Sequence, residues 1–306
     1  VDDTEKGKNE KASKQSTKRK DSYEGRRPVK RISENKLVRT DSRNPLGSLD
    51  AYFRNPEQRL RSKSSKKQRS NLTSVRELLA EVETSCSEFL QEVFKGQTFV
   101  GCVDETFCLI QFKTKLYLVN IPMVSRYLVY ERSLQNFGNF EHLEMSNPAP
   151  IKDLLLMALQ KEGAVPEDGE DKESIAKKLT DLLISKRQML SEYFSMEISQ
   201  DGRLNALPEI IKNYVPPLGL LPTFLLKLCL DVDWCSERPC FRGVCEEFAS
   251  FYNVCPKMYI SHSTKNTTES HLSLKYIIQH TICPSMRSDF HPPRKLEDGG
   301  CAVQVA

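Results

Sequence analysis

The sequence lacks any long apolar run, and it has few of the residues on which most enzyme active sites depend. No stretch approaches the ~20 apolar residues that a membrane-spanning helix needs, so no membrane partner is expected. There are five histidines and a single tryptophan. No Gly-x-Ser-x-Gly elbow, no Cys–His catalytic signature and no glycine-rich phosphate loop occurs. These absences argue against a serine or cysteine hydrolase and against a nucleotide-binding domain in this chain.

Cysteine is the one reactive residue type that is well represented, with ten residues at irregular spacings. Several lie among apolar residues, where a free thiol behaves as a small hydrophobic side chain. We therefore predict reduced, mostly buried thiols rather than a disulfide framework.

Charge divides the chain near residue 70. Residues 1–70 carry 21 Lys and Arg against 10 Asp and Glu, whereas residues 71–306 carry 24 against 31. The first segment has almost no apolar periodicity, so it cannot bury enough apolar surface to offset its chain entropy. We predict a disordered basic linker at 1–70 followed by one globular domain at 71–306. Because the chain starts with Val1 rather than Met, we expect it to be a segment of a longer protein.

Two basic clusters in the linker have the spacing of a two-part nuclear import signal, which predicts a nuclear protein. The clusters are Lys18, Arg19 and Lys20, then Arg26, Arg27, Lys30 and Arg31. They would equally suit weak, non-specific contact with DNA phosphates, and a merely soluble linker is the third interpretation.

Two short apolar anchors, residues 37–42 and 49–53, interrupt the polar linker. Such anchors would suit weak docking on a partner or on the surface of a domain.

Apolar periodicity predicts a mixed α/β (α+β) fold for residues 71–306. A stripe of apolar residues at steps of three and four predicts one amphipathic helix that ends near Gly96. We interpret this stripe as packing on a sheet or a partner, and we predict dimerisation contacts by Leu72, Val75, Leu79 and Val82. Further strands are predicted at 98–104, 106–112, 115–120 and 140–144, with a hairpin around Asp201-Gly202. Further helices are predicted at 122–136, 151–161, 175–190, 223–230, 240–252 and 272–283.

Two groups of Cys and His are candidates for a metal site. The first joins Cys235, Cys240 and Cys245 to His262 and His271, and the second consists of His280, Cys283 and His291. Structural zinc prefers ligand pairs two to four residues apart, whereas the cysteines of the first group recur every five residues. His280 and Cys283 of the second group would share a helix face, but no acidic ligand lies close by in sequence. We interpret the cysteines as buried thiols, with a metal-dependent nuclease as the enzymatic alternative.

Trp234 lies in an acidic setting with Glu237 nearby. An exposed aromatic ring beside carboxylates would bind a short basic-aromatic peptide from a partner. The alternative is a core tryptophan with a satisfied indole N–H.

Several short runs, in one order, resemble the C-terminal half of the MutL homologue 1 family, the shared subunits of eukaryotic MutL mismatch-repair heterodimers. They include Phe99-Val100-Gly101-Cys102-Val103, Asn136-Phe137-Gly138, Tyr193-Phe194-Ser195-Met196-Glu197-Ile198, Asn213-Tyr214-Val215-Pro216-Pro217-Leu218 and Pro292-Pro293. The resemblance implies a MutL C-terminal dimerisation domain with a helical external subdomain, which we expect at about 153–192.

The resemblance also implies a role in DNA mismatch repair and in meiotic recombination. The partners would be an endonuclease-bearing MutL paralogue, a mismatch-repair exonuclease and MutS-type proteins. ATP and Mg are expected only for an ATPase domain upstream of Val1, so no cofactor is expected in this segment. The metal motif of the endonuclease subunits, Asp-Gln-His-Ala-x-x-Glu, does not occur, which implies a non-catalytic region. An autonomous nucleic-acid-binding module is the remaining alternative.

Overall fold

A computed structural model describes residues 72–161, 171–254 and 274–305 of the chain. The first half comprises α1 (Thr73–Thr84), α2 (Glu88–Gly96), β1 (Thr98–Cys102), β2 (Phe107–Phe112), β3 (Lys115–Asn120), α3 (Ile121–Gln135), β4 (Glu141–Pro150) and α4 (Ile151–Lys161). The second half comprises α5 (Lys172–Phe194), β5 (Glu197–Ile198), β6 (Arg203–Glu209), α6 (Leu221–Leu230), α7 (Glu237–Phe251), α8 (Cys283–Arg287), α9 (Arg294–Asp298) and β7 (Ala302–Gln304). The mixed helix-and-strand class predicted from the sequence is confirmed.

The strands form two antiparallel sheets. The first has the order β1-β2-β3-β7 and the second the order β4-β6-β5. The predicted meander of three strands is confirmed, because connections as short as these favour antiparallel neighbours. Strand β7 comes from the far end of the chain and pairs with β3, a long-range contact that local patterns do not predict.

The prediction of a single helix ending near Gly96 is wrong, because the structure has two helices, α1 and α2, with a short non-helical segment between them. Hydroxyl groups explain the break: Thr84 and Ser85 donate to backbone carbonyls one turn earlier, and Ser87 caps α2 by accepting the N–H of Leu90 at 3.2 Å. Side chains of this type compete with the helical backbone and favour helix ends. The backbone of Ser87 also donates to the carbonyl of Pro292, which ties the break to the C-terminal part of the domain.

The strand predicted at 140–144 is longer in the structure and contains two prolines. Strand β4 runs on through Pro148 to Pro150, with an irregularity in its pairing between Glu144 and Ala149. The strand lies at the edge of its sheet, where a residue without an N–H leaves no ladder bond unmade.

The helices predicted at 122–136, 151–161, 175–190, 223–230 and 240–252 are confirmed, with ends shifted by a few residues. The hairpin around Asp201-Gly202 is also confirmed, with Gly202 at a φ of +75°. The helix predicted at 272–283 is described from residue 274 and contains a π-helical segment, Ile278–Ile282, just before Pro284. A wider turn fits there because a proline cannot donate the usual helical hydrogen bond.

One apolar core joins these elements. Helices α4 and α5 overlap the range, about 153–192, where a helical external subdomain is expected, and that subdomain stays a prediction. The buried Leu155 and Leu190 of these helices belong to the same core as Phe248 of α7. An aromatic cluster links the two regions: the ring of Phe137 lies 5.0 Å from that of Phe194 and 4.8 Å from that of Phe241. Among the described residues, none of the helices combines the length and the apolar character needed to span a bilayer.

A buried ion pair fastens the turn before α9 to α3. Glu131 is only 1% exposed, and it accepts the backbone N–H of His291 at 2.9 Å while His291 Nδ1 lies 2.6 Å from its other oxygen. Burial raises the pKa of Glu131 above 4.5, although the hydrogen bonds and charge of His291 oppose that shift.

The raised pKa of Glu131 predicts a specific pH dependence of stability. Above pH 4.5 an unfolded glutamate loses its proton while the folded one retains it until its higher pKa is reached, so the unfolded state binds fewer protons and stability falls as pH rises through this window. We expect the free energy of unfolding of the wild type, measured relative to Glu131→Gln, to fall as pH rises from 4.5. Urea unfolding of both proteins at several pH values measures this difference. A difference that grows with pH would show that the pair with His291, rather than burial, controls this carboxyl group.

Candidate functional site

The four-stranded sheet has one face toward the core and one face away from it. Side chains alternate along a strand, and Cys108, Ile110, Tyr117 and Val119 are the ones that lie in the core. Their neighbours in sequence therefore project from the opposite face of the sheet.

That opposite face is apolar across three strands. The register pairs Leu109 of β2 with Leu118 of β3, and Leu118 in turn with Val303 of β7. Leu116 lies on the same side as Leu118 and accepts the backbone N–H of Val305. We call this surface the outer sheet face; it consists of Phe107, Leu109, Leu116, Leu118, Val303 and Val305.

Exposure distinguishes the outer sheet face from the core. Val303 is 48% exposed and Val305 54% exposed, and Phe107, Leu109, Leu116 and Leu118 are half-buried. None of these six belongs to the apolar core that the described residues form. Contiguous exposed apolar surface of this kind marks a site of association in soluble proteins.

Polar residues lie at both ends of the outer sheet face. Thr98 is opposite Gln111 at one end of the strands, and Asn120 is opposite Phe107 at the other. Asn120 also caps α3 by accepting the N–H of Met123. An apolar centre with polar ends is the usual composition of a protein–protein interface, so this face is suited to packing against another apolar surface.

Two unbroken apolar runs in the sequence indicate this face. Strands β2 and β3 contain the unbroken apolar runs Phe107-Cys108-Leu109-Ile110 and Leu116-Tyr117-Leu118-Val119. A strand with one solvated face alternates apolar with polar residues, whereas a continuous run indicates burial on both faces.

The residues of the predicted dimerisation stripe on α1 pack against the core of their own chain. Val75 is 1% exposed in the core, and Leu72, Leu79 and Val82 are half-buried and pack against that core. A contact between these four residues and a second subunit stays a prediction.

The predicted peptide-docking pair is engaged by its own chain. Lys186 Nζ lies 5.9 Å from the centre of the Trp234 ring and 3.4 Å from the Trp234 carbonyl oxygen. Glu237 is exposed and accepts a hydrogen bond from Ser74. Trp234 is half-buried against the core, but its indole nitrogen has no hydrogen-bond partner among the described residues. Peptide docking at this pair stays a prediction.

Where the structure describes the candidate metal ligands, it does not bring them together. Cys235 is exposed, whereas Cys240 and Cys245 are buried in α7. His262, His271 and the seven basic linker residues lie outside the described ranges. Within 72–161, 171–254 and 274–305, no three His, Cys, Asp or Glu side chains form a group that could hold a metal ion.

The nine cysteines in the described ranges are free thiols, as predicted. Burial raises the pKa of Cys229 to about 12 and that of Cys240 to about 11. These two side chains are therefore neutral near pH 7, where a thiol is a poor nucleophile and a good core residue.

Comparison with known proteins agrees with the resemblance read from the sequence. Residues 71–306 match the family described as the DNA mismatch repair protein Mlh1 C-terminus. The chain is 36% identical over 260 residues to the DNA mismatch repair protein Mlh1 of Dictyostelium discoideum, covering 79% of this chain and 29% of that protein. It is 30% identical over 280 residues to the DNA mismatch repair protein MLH1 of Saccharomyces cerevisiae, covering 85% of this chain and 35% of that protein.

A third relative is the putative MutL protein homolog 1 of Schizosaccharomyces pombe, which is 27% identical over 238 residues, covering 77% of this chain and 33% of that protein. The chain thus spans about a third of the length of these curated relatives. Since the family match covers the whole folded part described above, the chain belongs to the family of Mlh1 C-terminal regions of DNA mismatch repair proteins.

Proposed function

We propose that residues 71–306 hold this chain to an endonuclease-bearing MutL subunit in a heterodimer and perform no catalysis themselves. The observation that carries the proposal is the outer sheet face, an apolar surface that is partly exposed and lies outside the core of the described part of the chain. Membership of the Mlh1 C-terminal family supports a MutL-type partner rather than an unrelated one.

In this proposal the domain acts as a clamp between two long chains. The basic linker would let distant ATPase domains open and close around DNA, while the paired C-terminal domains keep the two subunits together. The linker's two basic clusters would support nuclear import and weak contact with DNA phosphates. The mismatch-repair exonuclease and MutS-type proteins would dock on the same domain.

Co-expression with the C-terminal domain of an endonuclease-bearing MutL protein tests the pairing. We expect a one-to-one complex in sedimentation analysis, because the partner would bury the apolar area that the outer sheet face still exposes. Full burial of an exposed Leu or Val side chain contributes about 1.5–3 kcal/mol, and each side chain of this face would contribute a fraction of that. A compact monomer that binds none of these MutL partners would contradict the proposal.

Elemental analysis of the purified chain addresses the enzymatic alternative. Stoichiometric zinc or manganese in the purified chain would contradict a purely non-catalytic role.

A further inference from the structure

A cleft of about 860 Å³ is lined by residues of α1, α3 and α7 and by the segment 291–295. Its apolar lining includes Tyr127 and Tyr130 of α3 together with Met123 and Pro293. Met123 is 36% exposed, and both tyrosines are half-buried. Aromatic rings that are only partly covered provide contact area at a low entropy cost to a segment that docks on them.

The charge of the side chains that line the cleft indicates which kind of peptide segment could bind there. Four basic side chains line it against two glutamates, and one of those glutamates, Glu81, already pairs with Arg238 and Arg242. Arg126 and Lys295 form no hydrogen bond or salt bridge with another side chain among the described residues. The cleft is therefore basic, and it favours an apolar segment that carries an acidic side chain.

The linker contains one segment with these properties. The linker has a net charge of +11, and its longest stretch without Lys or Arg is residues 44–53. The sequence of this stretch is Asn-Pro-Leu-Gly-Ser-Leu-Asp-Ala-Tyr-Phe. It carries a single charge, that of Asp50, and ends in the aromatic pair Tyr52-Phe53. The remainder of the linker is strongly basic, and the cleft would repel it.

The position of this segment in the chain makes docking in cis feasible. Only 18 residues separate Phe53 from Leu72, where the described chain begins. A chain of 18 residues can reach at most about 60 Å when fully extended. The part of the cleft on α1, from Leu78 to Ser85, lies about 9–20 Å from Leu72 along the helix. Tethering at such a distance gives an effective concentration of the order of millimolar, so even a weak contact would be occupied.

We propose that residues 44–53 of the linker fold back and occupy this cleft, with Tyr52 and Phe53 against Tyr127 and Tyr130 and with Asp50 near Arg126 or Lys295. The contact shortens the free linker and covers the cleft until a competing partner displaces it. It is independent of the outer sheet face and of the heterodimer proposed above.

Photo-crosslinking in the whole 306-residue chain tests this inference. With Tyr52 replaced by benzoylphenylalanine, we expect an intramolecular crosslink to residues 123–130 or 291–295, identified by mass spectrometry and independent of protein concentration. The matched control places the same amino acid at Tyr23, in the strongly basic part of the linker, where we expect no crosslink to these residues.

Charge reversal separates docking from chance proximity. Arg126 is exposed, so Arg126→Glu leaves the fold intact, and we expect it to lower the Tyr52 crosslink yield about fivefold, as a surface charge interaction allows. Crosslinks to another surface, crosslinks that rise with protein concentration, or the absence of any crosslink would each overturn the inference. An unchanged crosslink yield in Arg126→Glu would show that charge does not select this segment. Because the segment is chosen for its charge, that result would also overturn the inference.

Discussion

Leu118→Asp is expected to abolish pairing with an endonuclease-bearing MutL partner while the chain stays folded. Leu118 lies at the centre of the outer sheet face, between Leu109 on one side and Val303 on the other. In the free chain the new carboxylate is partly solvated, because Leu118 is only half-buried. In the complex it would be buried without a partner, and the loss of Leu burial adds to that cost. The affinity is therefore expected to fall at least about 100-fold.

Two control variants make this result specific. Met157→Asp introduces the same charge at an exposed apolar residue of α4, 58% exposed and outside the outer sheet face, and pairing should be unchanged. Val119→Asp changes the next residue along β3, but Val119 is fully buried in the core, so this variant should unfold. Circular dichroism and sedimentation with the partner distinguish the three outcomes. Wild-type pairing by a folded Leu118→Asp chain would show that the outer sheet face is not the interface.

Phe137→Ala is expected to lower the free energy of unfolding by about 3–5 kcal/mol, the usual cost of removing a large buried aromatic side chain. Phe137 is 1% exposed, and its ring lies within 5.4 Å of that of Tyr193, 5.0 Å of Phe194 and 4.8 Å of Phe241. The cavity would open where the end of α5 meets α7, and neither helix can move to fill it without losing its other contacts. Such a loss is a large part of the 5–15 kcal/mol that usually holds a domain together.

The matched control is Phe89→Ala. Phe89 is 45% exposed and makes one ring contact, with Tyr117 at 6.2 Å, so we expect a loss below about 1 kcal/mol. Urea unfolding followed by circular dichroism measures both variants. Equal losses would mean that the aromatic cluster contributes no more than a surface ring does.

The sequence-based predictions are accurate where the interactions join residues close together in the sequence, and less accurate where they join distant residues. Helices α3 and α4 and strands β2 and β3 were predicted to within a residue or two, because apolar periodicity and turn residues act locally. The break after Thr84 was missed, although the three neighbouring hydroxyl residues that cause it are visible in the sequence. Weighting serines and threonines as helix-ending residues would have located it.

The predictions of site residues also fail where contacts between residues distant in the sequence decide the outcome. The stripe on α1 was correctly identified as apolar, but a stripe does not reveal what it packs against, and the structure places Val75 in the core of its own chain. Trp234 was selected for its acidic neighbours, yet Lys186 comes from a helix 48 residues earlier to lie over its ring. Neither contact is encoded at short range.

The basic and acidic halves, the kinds and order of most elements, and the resemblance to MutL proteins can all be read from the sequence. These properties depend on composition and on residues a few positions apart. Which apolar surfaces are covered depends on the tertiary fold, because covering requires partners that are distant in the chain. Strand β7 pairs with β3 across more than 180 residues, and α1 packs on α7, which starts 163 residues after Ser74. Packing on α7 covers the apolar stripe of α1, whereas the outer sheet face, with Val303 of β7 beside Leu118 of β3, keeps its apolar side chains outside the core.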